Sequence, residues 1–319
     1  MKQAHIGLAS GLDPAAEAKR PVGTIAELWR YPVKSMLGGT VSEIMVTERG
    51  VLGDRAWALR DQRTGRIVSA KRVADLLQFR ATYEVEPTLA SPGLVRIETP
   101  DGDTIYAGQE NASARISRIL GRPVCLENSA RPDEKTSIDR DTVFGDVPVS
   151  QMKPHWTPET MPDHFQLKGG TFLEIGAVFL LASGSVEHLR GLQGGTALID
   201  RRRFRPNFYI DTGPAGGRFV EDDWLGRSLT VGDSVVLGEF EPTLWCVGST
   251  LAQEELPRDP RILRAIARAH QGCLGVYGSV VSSGLVRVGD PVVLAGPSQS
   301  HVGRVPPSPK QPLTELGNC

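Results

Sequence analysis

Short stretches of alternating apolar and polar residues, separated by turn residues, recur in the first part of the chain. The alternation covers residues 24–30, 42–46 and 55–59, and a turn at 64–65 leads to a return at 67–68. A period of two residues places successive side chains on opposite faces of an extended backbone. The pattern therefore predicts antiparallel strands that each turn one face to a core. The 35 Gly and 23 Pro of the chain favour such strands and turns over a helix bundle.

A hairpin and a helix are predicted to complete a first domain. Residues 94–97 and 103–106 alternate in the same way on either side of an Asp-Gly pair at 101–102. This pair favours a tight hairpin turn. Residues 111–120 have helical spacing of apolar side chains, and Gly121 follows as a residue suited to end a helix. With 319 residues, the chain is long enough for a second domain.

The second half is predicted to be another β-rich unit with few helices. A strand is expected at residues 172–181, a short helix from Ser185, and further strands from Phe204 onward. An amphipathic helix is expected over residues 259–272, because an Asp-Pro pair opens it and a Gly closes it.

A short internal similarity links two parts of this second half. Residues 228–237 and 285–294 share the pattern V-G-D-x-V-V-L. Two similar hairpins in one barrel would explain it. The similarity is too short to indicate a repeat architecture.

Two segments differ in composition from these units. Residues 145–170 contain four prolines and two histidines, which neither a helix nor a central strand accommodates well. We interpret this segment as a long surface excursion, either a lid over a site or a disordered loop. After Ala295 the chain is rich in Pro, Ser and Gln, which predicts a mobile tail.

Composition limits the classes of function. Charged residues make up 23% and apolar residues 40% of the chain, and the formal net charge is −1, so nothing marks the whole as a nucleic-acid or membrane binder. Residues 1–20 contain no apolar block that would serve as a signal peptide, and no later run approaches the ~20 residues of a membrane span. We therefore expect a cytoplasmic protein without nucleic-acid or membrane partners.

Basic side chains and a hydroxyl collect at the predicted strand ends. The first half has YPVKS at residues 31–35, GDR at 53–55 and KR at 71–72, and the second has RRRFRPN at 201–207. Such groups suit a phosphate, and arginine is the side chain best fitted to bind one in a bidentate manner. The competing interpretation is solvated charge that binds nothing specific, which is the commoner meaning of such a pattern. The pattern alone leaves both interpretations open.

The four cysteines, Cys125, Cys246, Cys273 and Cys319, lie far apart and form no CxxC or CxxH pair. A zinc site or a disulfide framework is therefore not expected. Cys246 lies where a predicted strand runs into a Gly, Ser and Thr turn, so its side chain could face a cleft. A lone cysteine is more often an inert buried side chain, and we assign Cys125 and Cys273 to packing. Cys319 is expected to be exposed and without function.

Two common enzyme classes lack support. The six histidines lie in tails, in the proline-rich segment or in predicted helices, so no Ser-His-Asp arrangement emerges. The chain has no glycine-rich loop of the kind that binds nucleotides.

Several segments, in their order along the chain, resemble one family. LWRYPVKSM at 28–36 and GDRAW at 53–57 resemble the N-terminal β-barrel domain that precedes MOSC domains. The segments that resemble the MOSC domain itself are RFRPN at 203–207, EDDW at 221–224, Cys246, LPRDP at 256–260 and VGDPV at 288–292. As an ordered set these motifs are specific, although each is weak alone.

The resemblance implies a mainly β (α+β) fold with two barrels. An N-terminal MOSC-associated β-barrel domain is expected at residues 22–135 and a MOSC β-barrel domain with a few helices at 171–295. Residues 1–21 would be a flexible segment, 136–170 a proline-rich linker and 296–319 the mobile tail.

The resemblance also implies a molybdenum cofactor, a molybdopterin that holds molybdenum, bound between the domains. Motif positions assign Cys246 as the metal ligand and catalytic residue, and a thiolate suits this soft, sulfur-coordinated metal. The motif positions that would bind the cofactor are Lys34, Ser35, Arg55, Arg205, Asn207 and Tyr277. No pyridoxal phosphate is expected.

The family includes amidoxime-reducing proteins of mitochondria and bacterial relatives that reduce N-hydroxylated compounds. The resemblance therefore implies a two-electron N–O reduction of a small-molecule substrate. No cysteine cluster follows the MOSC-like segment, so a separate electron donor, a ferredoxin-like or flavoprotein-like protein, is expected.

The chain departs from the family pattern beside the expected ligand. Relatives usually carry Arg immediately before the ligand cysteine and often two Thr soon after it, whereas Trp245 precedes Cys246 here and Ser249 and Thr250 follow. Leu244 stands where some relatives have Ser. These departures leave open two alternatives to an N–O reductase. One is a carrier that delivers molybdenum cofactor without chemistry of its own, and the other is a sulfur-transfer protein with a persulfide on Cys246.

Overall fold

A computed structural model describes residues 19–129, 137–139, 164–166, 171–172, 176–195 and 197–297, with the backbone alone given for 137–139, 164–166 and 296–297. The expected fold class is confirmed, because strands predominate and the helices are few and short. The predictions for the proline-rich segment and the two tails lie almost wholly outside the described residues. No helix among those described is long and apolar enough to cross a membrane.

The strands β1 to β18 cover, in chain order, Arg20–Arg30, Gly39–Val41, Glu43–Thr47, Gly50–Val51, Trp57–Asp61, Arg80–Val85, Leu94–Glu98, Thr104–Tyr106, Val124–Asn128, Ser137–Asp139, His164–Gln166, Val178–Ala182, Phe208–Asp211, Arg227–Val231, Val235–Leu244, Cys273–Ser282, Gly284–Arg287 and Pro291–Pro297. The helices α1 to α3 cover Ala112–Leu120, Ser183–Gln193 and Arg261–His270. Short 3-10 helices cover Ala74–Gln78, Arg201–Phe204, Val220–Trp224 and Val247–Thr250.

Seven strands close into a barrel in the order β13-β12-β16-β15-β14-β18-β1, and β1 pairs back with β13. The closure depends on the length of β1. Its residues 20–24 pair with β18, and residues 24–28 pair with β13. The segment is a strand, as predicted, but a β-bulge between Ile25 and Glu27 interrupts the alternation, so that Ile25 and Leu28 are both buried in the barrel core although they are three residues apart.

Strands from the start of the chain therefore build the barrel of the second half. Ile25, Leu28, Ile44 and Val46 belong to the same apolar core as Phe208. Strand β3 adds to this arrangement by pairing with β17. Strand β1 leaves the barrel at Arg30, and the residues that come next in the chain lie at the junction between the two halves.

A second apolar core belongs to the first half of the chain. It lies between the β5-β9 pair, the β6-β7-β8 sheet and α1, and its members include Leu59, Phe79, Ile97 and Ile116. Leu251, which comes from the second half, is buried in this same core. Each half of the chain therefore contributes residues to the apolar core of the other half.

Three local predictions are confirmed. Strands β7 and β8 pair as an antiparallel hairpin around the Asp-Gly turn. Gly121 follows α1 in the left-handed conformation with φ 61°, as a helix-ending glycine should. Asp259 caps α3, because its Oδ1 accepts a hydrogen bond of 3.0 Å from the backbone N–H of Arg261.

Two other predictions are wrong in extent. The strand expected at 172–181 begins only at Val178, because the backbone N–H of Phe172 donates to Arg55 in the other half and Gly176 turns the chain with φ 65°. Phe204 ends a 3-10 helix, so the next strand starts at Phe208.

The two similar segments do not form two equivalent hairpins. Strands β14 and β15 pair with each other, but β17 pairs with β3. Strand β18 instead pairs with β1 and with β14, so both of its edges are already occupied.

Candidate functional site

Tyr31 lies at the junction of the two barrels and is contacted by two arginines from different halves of the chain. Its backbone N–H donates to Oδ1 of Asp54 at 2.9 Å, and its hydroxyl donates to the carbonyl of Pro206 at 3.2 Å. The guanidinium carbons of Arg55 and Arg205 lie 4.3 and 4.2 Å from its ring centroid. Burial raises the pKa of the Tyr31 phenol, so the ring stays neutral and offers its π-face to both cations.

Arg55 has a counterion within the site. Its Nη1 donates to the buried carboxylate of Asp54, and its Nη2 donates to the carbonyl of Arg205 at 3.4 Å. Burial by itself would lower the pKa of Arg55, but the adjacent Asp54 carboxylate, together with Tyr277 and Tyr31, raises it overall. Arg55 is therefore charged, and Asp54 balances that charge.

Arg205 has no such counterion in the part of the chain that the structure describes. Its Nη1 and Nη2 are inaccessible to solvent and have no hydrogen-bond acceptor among the described residues. Burial, and after it the charge of Arg55, lower the pKa of Arg205 to about 10, which still leaves the group charged at neutral pH. Buried cations are ordinarily paired, since an unpaired one is costly. The arrangement at Arg205 is therefore complementary to an anion.

Three residues of this region adopt the left-handed backbone conformation. Ser35, Arg55 and Arg205 have φ angles of 68°, 48° and 53°. They make up half of the six non-glycine residues with positive φ in the described chain. Each such residue costs on the order of 1 kcal/mol or more, and such strain concentrates at functional sites.

The beginning of the second half lies across this region. The backbone N–H of Phe172 donates to the carbonyl of Arg55 at 2.7 Å, and Nζ of Lys34 donates to the carbonyl of Phe172 at 3.1 Å. The Thr171 hydroxyl donates to the carbonyl of Asp54 at 2.9 Å. Lys34, Arg55 and Arg205 are thus brought together, as the motifs predict. Ser35 follows Lys34 in the same turn, and its hydroxyl makes no hydrogen bond with a described residue.

The other arginines of the RRRFRPN run are already engaged. Arg201 binds the carboxylate of Glu27, and Arg202 binds that of Asp200. Arg203 is buried and donates to three backbone carbonyls, those of Leu198, Leu251 and Pro257. Within the described part of the chain, Arg205 alone of the four lacks a partner for its terminal nitrogens.

Asn207 occupies a supporting position below the arginines. It is fully buried, its Oδ1 accepts from the backbone N–H of Phe179 at 3.1 Å, and its Nδ2 donates to the carbonyl of Trp29 at 3.3 Å. The amide thereby joins β12 to β1. This position fixes the backbone that carries the site.

An aromatic cluster connects the arginines to the predicted metal ligand. The ring of Tyr277 lies 5.1 Å from that of Phe179, which lies 5.6 Å from the ring of Trp245. Trp245 also meets Phe204 edge to face at 4.9 Å. The residues that directly follow Phe204 and Trp245 in the chain are Arg205 and Cys246.

Cys246 follows β15 and leads into the 3-10 helix Val247–Thr250. It is a free, partly exposed thiol. Gly248 leaves one side of the sulfur open, since even a Cβ added there would lie 3.7 Å from Sγ. Cys273 is different, because burial raises the pKa of its thiol to about 11. Of these two thiols, Cys246 is the better placed to form a thiolate ligand.

Sequence reasoning missed two members of the site. Tyr31 and Asp54 lie within the two basic motifs of the first half, yet only the structure shows that Tyr31 stacks on Arg205 and that Asp54 neutralises Arg55. Their place within these motifs is the sequence feature that could have identified them.

The fold and the site define a protein of two joined barrels, with an aromatic cluster that links a buried arginine to a free thiol. The chain matches the MOSC N-terminal beta barrel domain over residues 22–132 and the MOSC domain over residues 170–293. It belongs to the MOSC family, as the motifs predict.

The chain is also similar to curated proteins over most of its length. It is 26% identical to mitochondrial amidoxime-reducing component 1 of Mus musculus, over 86% of this chain and 83% of that protein. It is likewise 26% identical to mitochondrial amidoxime reducing component 2 of Bos taurus, over 85% of this chain and 83% of that protein. Among solved structures, the YUAD protein from Bacillus subtilis is 11% identical, with a TM-score of 0.45 over 87% of this chain and 97% of that one.

Proposed function

We propose that this protein binds a molybdopterin molybdenum cofactor at the junction of its two barrels, with the Cys246 thiolate as the protein ligand of the metal. The observation that carries the proposal is the buried guanidinium of Arg205, whose terminal nitrogens have no acceptor among the residues that the structure describes. The phosphate end of such a cofactor is an anion of the kind that arginine binds best. The residues present therefore fit the group.

Each residue near Arg205 has a defined part in holding that phosphate. Arg205 donates to the phosphate oxygens, and Arg55, kept in place by Asp54, adds a second guanidinium nearby. The left-handed turn at Ser35 presents a hydroxyl from the same region. Tyr31 covers both guanidinium groups with an apolar ring, which excludes water and strengthens their interaction with an anion.

The thiol end is held by the aromatic cluster. Trp245 is fixed because its Nε1 donates to the carbonyl of Leu274 at 2.7 Å and its ring packs against Phe179 and Phe204. The backbone at Cys246 is therefore anchored on one side. A metal would keep this thiol deprotonated, and the open space beside Gly248 gives it access.

We further propose that the protein reduces N-hydroxylated small molecules, the type of activity that the names of its curated relatives indicate. When bound, the cofactor would supply a two-electron redox centre suited to N–O cleavage. Electrons would come from a separate ferredoxin-like or flavoprotein-like donor.

The decisive experiment is the analysis of molybdenum and pterin in protein made in a host that synthesises the cofactor. Molybdenum near one atom per chain together with pterin is the expected result. Absence of both from wild-type protein, with a persulfide mass on Cys246, would instead establish sulfur transfer.

A carrier remains the second candidate because Trp245 is an immobile, uncharged side chain beside Cys246. Turnover of an N-hydroxylated base by loaded protein with a chemical reductant distinguishes the two functions. A carrier would bind molybdenum and pterin but would not turn over.

A further inference from the structure

Helix α3 carries an unusual concentration of positive charge. Its ten residues include three arginines and a histidine but no acidic side chain. Arg261, Arg264 and Arg268 are exposed and spaced three and four residues apart, so they share one helix face. Arg258 precedes the helix and is exposed as well.

The charge of this face is not neutralised locally. Arg261 pairs with Asp259, but Arg258, Arg264 and Arg268 form no ion pair with any residue that the structure describes. The acids nearby have partners of their own, since Asp222 binds His270 and Glu255 binds Arg202.

Helix stability does not account for this arrangement. Like charges three or four residues apart repel each other, and a cation before the N-terminus of a helix opposes its dipole, as Arg258 does. The dipole favours Arg268 alone, which lies in the last turn. Arg258 and Arg264 are therefore available to an external anionic partner.

The opposite face of α3 packs against the candidate site. Ile262 and Ile266 lie in the apolar cluster that also contains Phe204 and against which Trp245 packs. The arginine face is thus separated from the aromatic cluster beside Cys246 by about the thickness of one helix, on the order of 10 Å.

Exposed apolar side chains flank both ends of α3. The backbone N–H of Leu198, a residue that is 46% exposed, donates to Asp259 at the start of the helix. Leu244, 39% exposed, lies against Gly272 at its end, and Val247 beside Cys246 is 38% exposed. Surfaces that combine arginines with exposed apolar side chains are typical of protein–protein interfaces.

From this charge complementarity and position we infer that the α3 face, defined as Arg258, Arg264, Arg268, Leu198 and Leu244, is the docking surface for an acidic electron-donor protein. This inference rests on the proposed reductase function. Two one-electron donors would dock in turn and be oxidised. Their two electrons, together with two protons from solvent, would convert the N–OH group to N–H and release one water.

The test compares a charge-reversal variant, R264E/R268E, with a control of equal charge change, R49E/R63E, which alters exposed turns of the first half. Binding of an acidic [2Fe–2S] ferredoxin is measured by calorimetry at low and at high salt. We expect R264E/R268E to weaken binding by on the order of tenfold or more at low salt, and the control by less than about twofold.

Turnover with a chemical reductant provides the second measurement. We expect R264E/R268E to keep the wild-type rate with the chemical reductant while its ferredoxin-dependent rate falls. Equal ferredoxin affinity in both variants, or failure of the wild type to bind ferredoxin, would overturn the docking surface. Loss of RNA or anionic-vesicle binding alone in R264E/R268E would also overturn it. Failure of every loaded protein to turn over with the chemical reductant would instead refute the reductase function.

Discussion

The guanidinium of Arg205 stacks on the ring of Tyr31 at 4.2 Å, yet its terminal nitrogens meet no acceptor among the described residues. The stack holds the side chain in place and leaves its hydrogen-bonding capacity for a ligand. In the cofactor-free protein the unpaired, buried guanidinium of Arg205 lowers the free energy of unfolding. Stability and cofactor binding should therefore respond to its removal in opposite directions.

We expect Arg205→Met to lower the pterin content of the purified protein several-fold. The same change should leave the free energy of unfolding of cofactor-free protein unchanged or raise it by about 1 kcal/mol, because an unpaired buried charge is replaced by an apolar side chain. Pterin analysis and urea denaturation measure the two quantities. Arg203→Met is the matched control and should cost about 2–4 kcal/mol, because it strands three buried carbonyls. Unchanged pterin content in Arg205→Met would remove Arg205 from the cofactor site.

Cys246→Ser should abolish reduction and change the absorption of the bound metal, while much of the pterin remains held through the arginines. Cys273→Ser is the control, because its partly buried thiol has a raised pKa and lies outside the proposed ligand set. That change should affect stability by on the order of 1 kcal/mol and leave the spectrum alone. Loss of molybdenum from Cys273→Ser, with retention in Cys246→Ser, would show that the motif alignment around Trp245 is misplaced.

Introducing the family's usual arginine in place of Trp245 should harm this protein. Trp245→Arg would lose the ring contacts with Phe179 and Phe204 and the hydrogen bond to Leu274, at a cost of about 2–4 kcal/mol. Trp245→Phe keeps an aromatic ring there and should cost roughly half as much. Thermal denaturation of the two cofactor-free variants measures the difference. Equal melting temperatures would mean that the ring contacts contribute little.

A pH-dependent contribution to stability is expected from His270. Its Nδ1 lies 3.0 Å from the carbonyl of Cys273 and its Nε2 lies 3.0 Å from Oδ2 of Asp222, so both ring nitrogens face acceptors, an arrangement that favours the doubly protonated ring. Burial alone would lower the pKa of His270, but Asp222, with the Cys273 carbonyl and Glu221, raises it overall. Because the folded pKa is raised, the stabilisation is fully present below the unfolded pKa of about 6.5 and is lost as pH rises through the folded pKa.

Asp222→Asn tests this contribution. The difference in unfolding free energy between wild type and Asp222→Asn should shrink from about pH 6 to pH 9, by less than about 1 kcal/mol because the pair is partly exposed. Asp223→Asn is the control, since Asp223 pairs with Arg20 and Arg218, which do not titrate in this range. A constant difference for Asp222→Asn as well would show that His270 is not charged in the folded protein.

Local elements were predictable from the chain because local residues determine them. The Asp-Gly turn between β7 and β8, Gly121 after α1 and the Asp259 cap of α3 each act through neighbours in the sequence. The ordered motifs also predicted that Arg55 and Arg205 belong to one site, and the structure places both on Tyr31.

Long-range relationships were not predictable in this way. Nothing in the alternation of β1 indicates that it pairs with β13 and β18, or that β17 pairs with β3. The role of Asn207 as a bridge between β12 and β1 depends on the same pairings. The cofactor, the assignment of Cys246 as its ligand and the cytoplasmic location remain predictions.

The pairing of β1 with β18 places one of the earliest synthesised strands beside the latest described one, with Arg20 opposite Leu294. On the ribosome, β1 has only the short pairing of residues 28–30 with β2 until β13 and β18 have emerged, so most of both its edges stays unpaired until nearly the whole chain has been made. Bare strand edges recruit other strands, and closure between distant segments is slow. Nascent chains should therefore depend on holding chaperones. A fragment cut between the two sequence domains would leave the second barrel one strand short, so the halves should become soluble only when produced together.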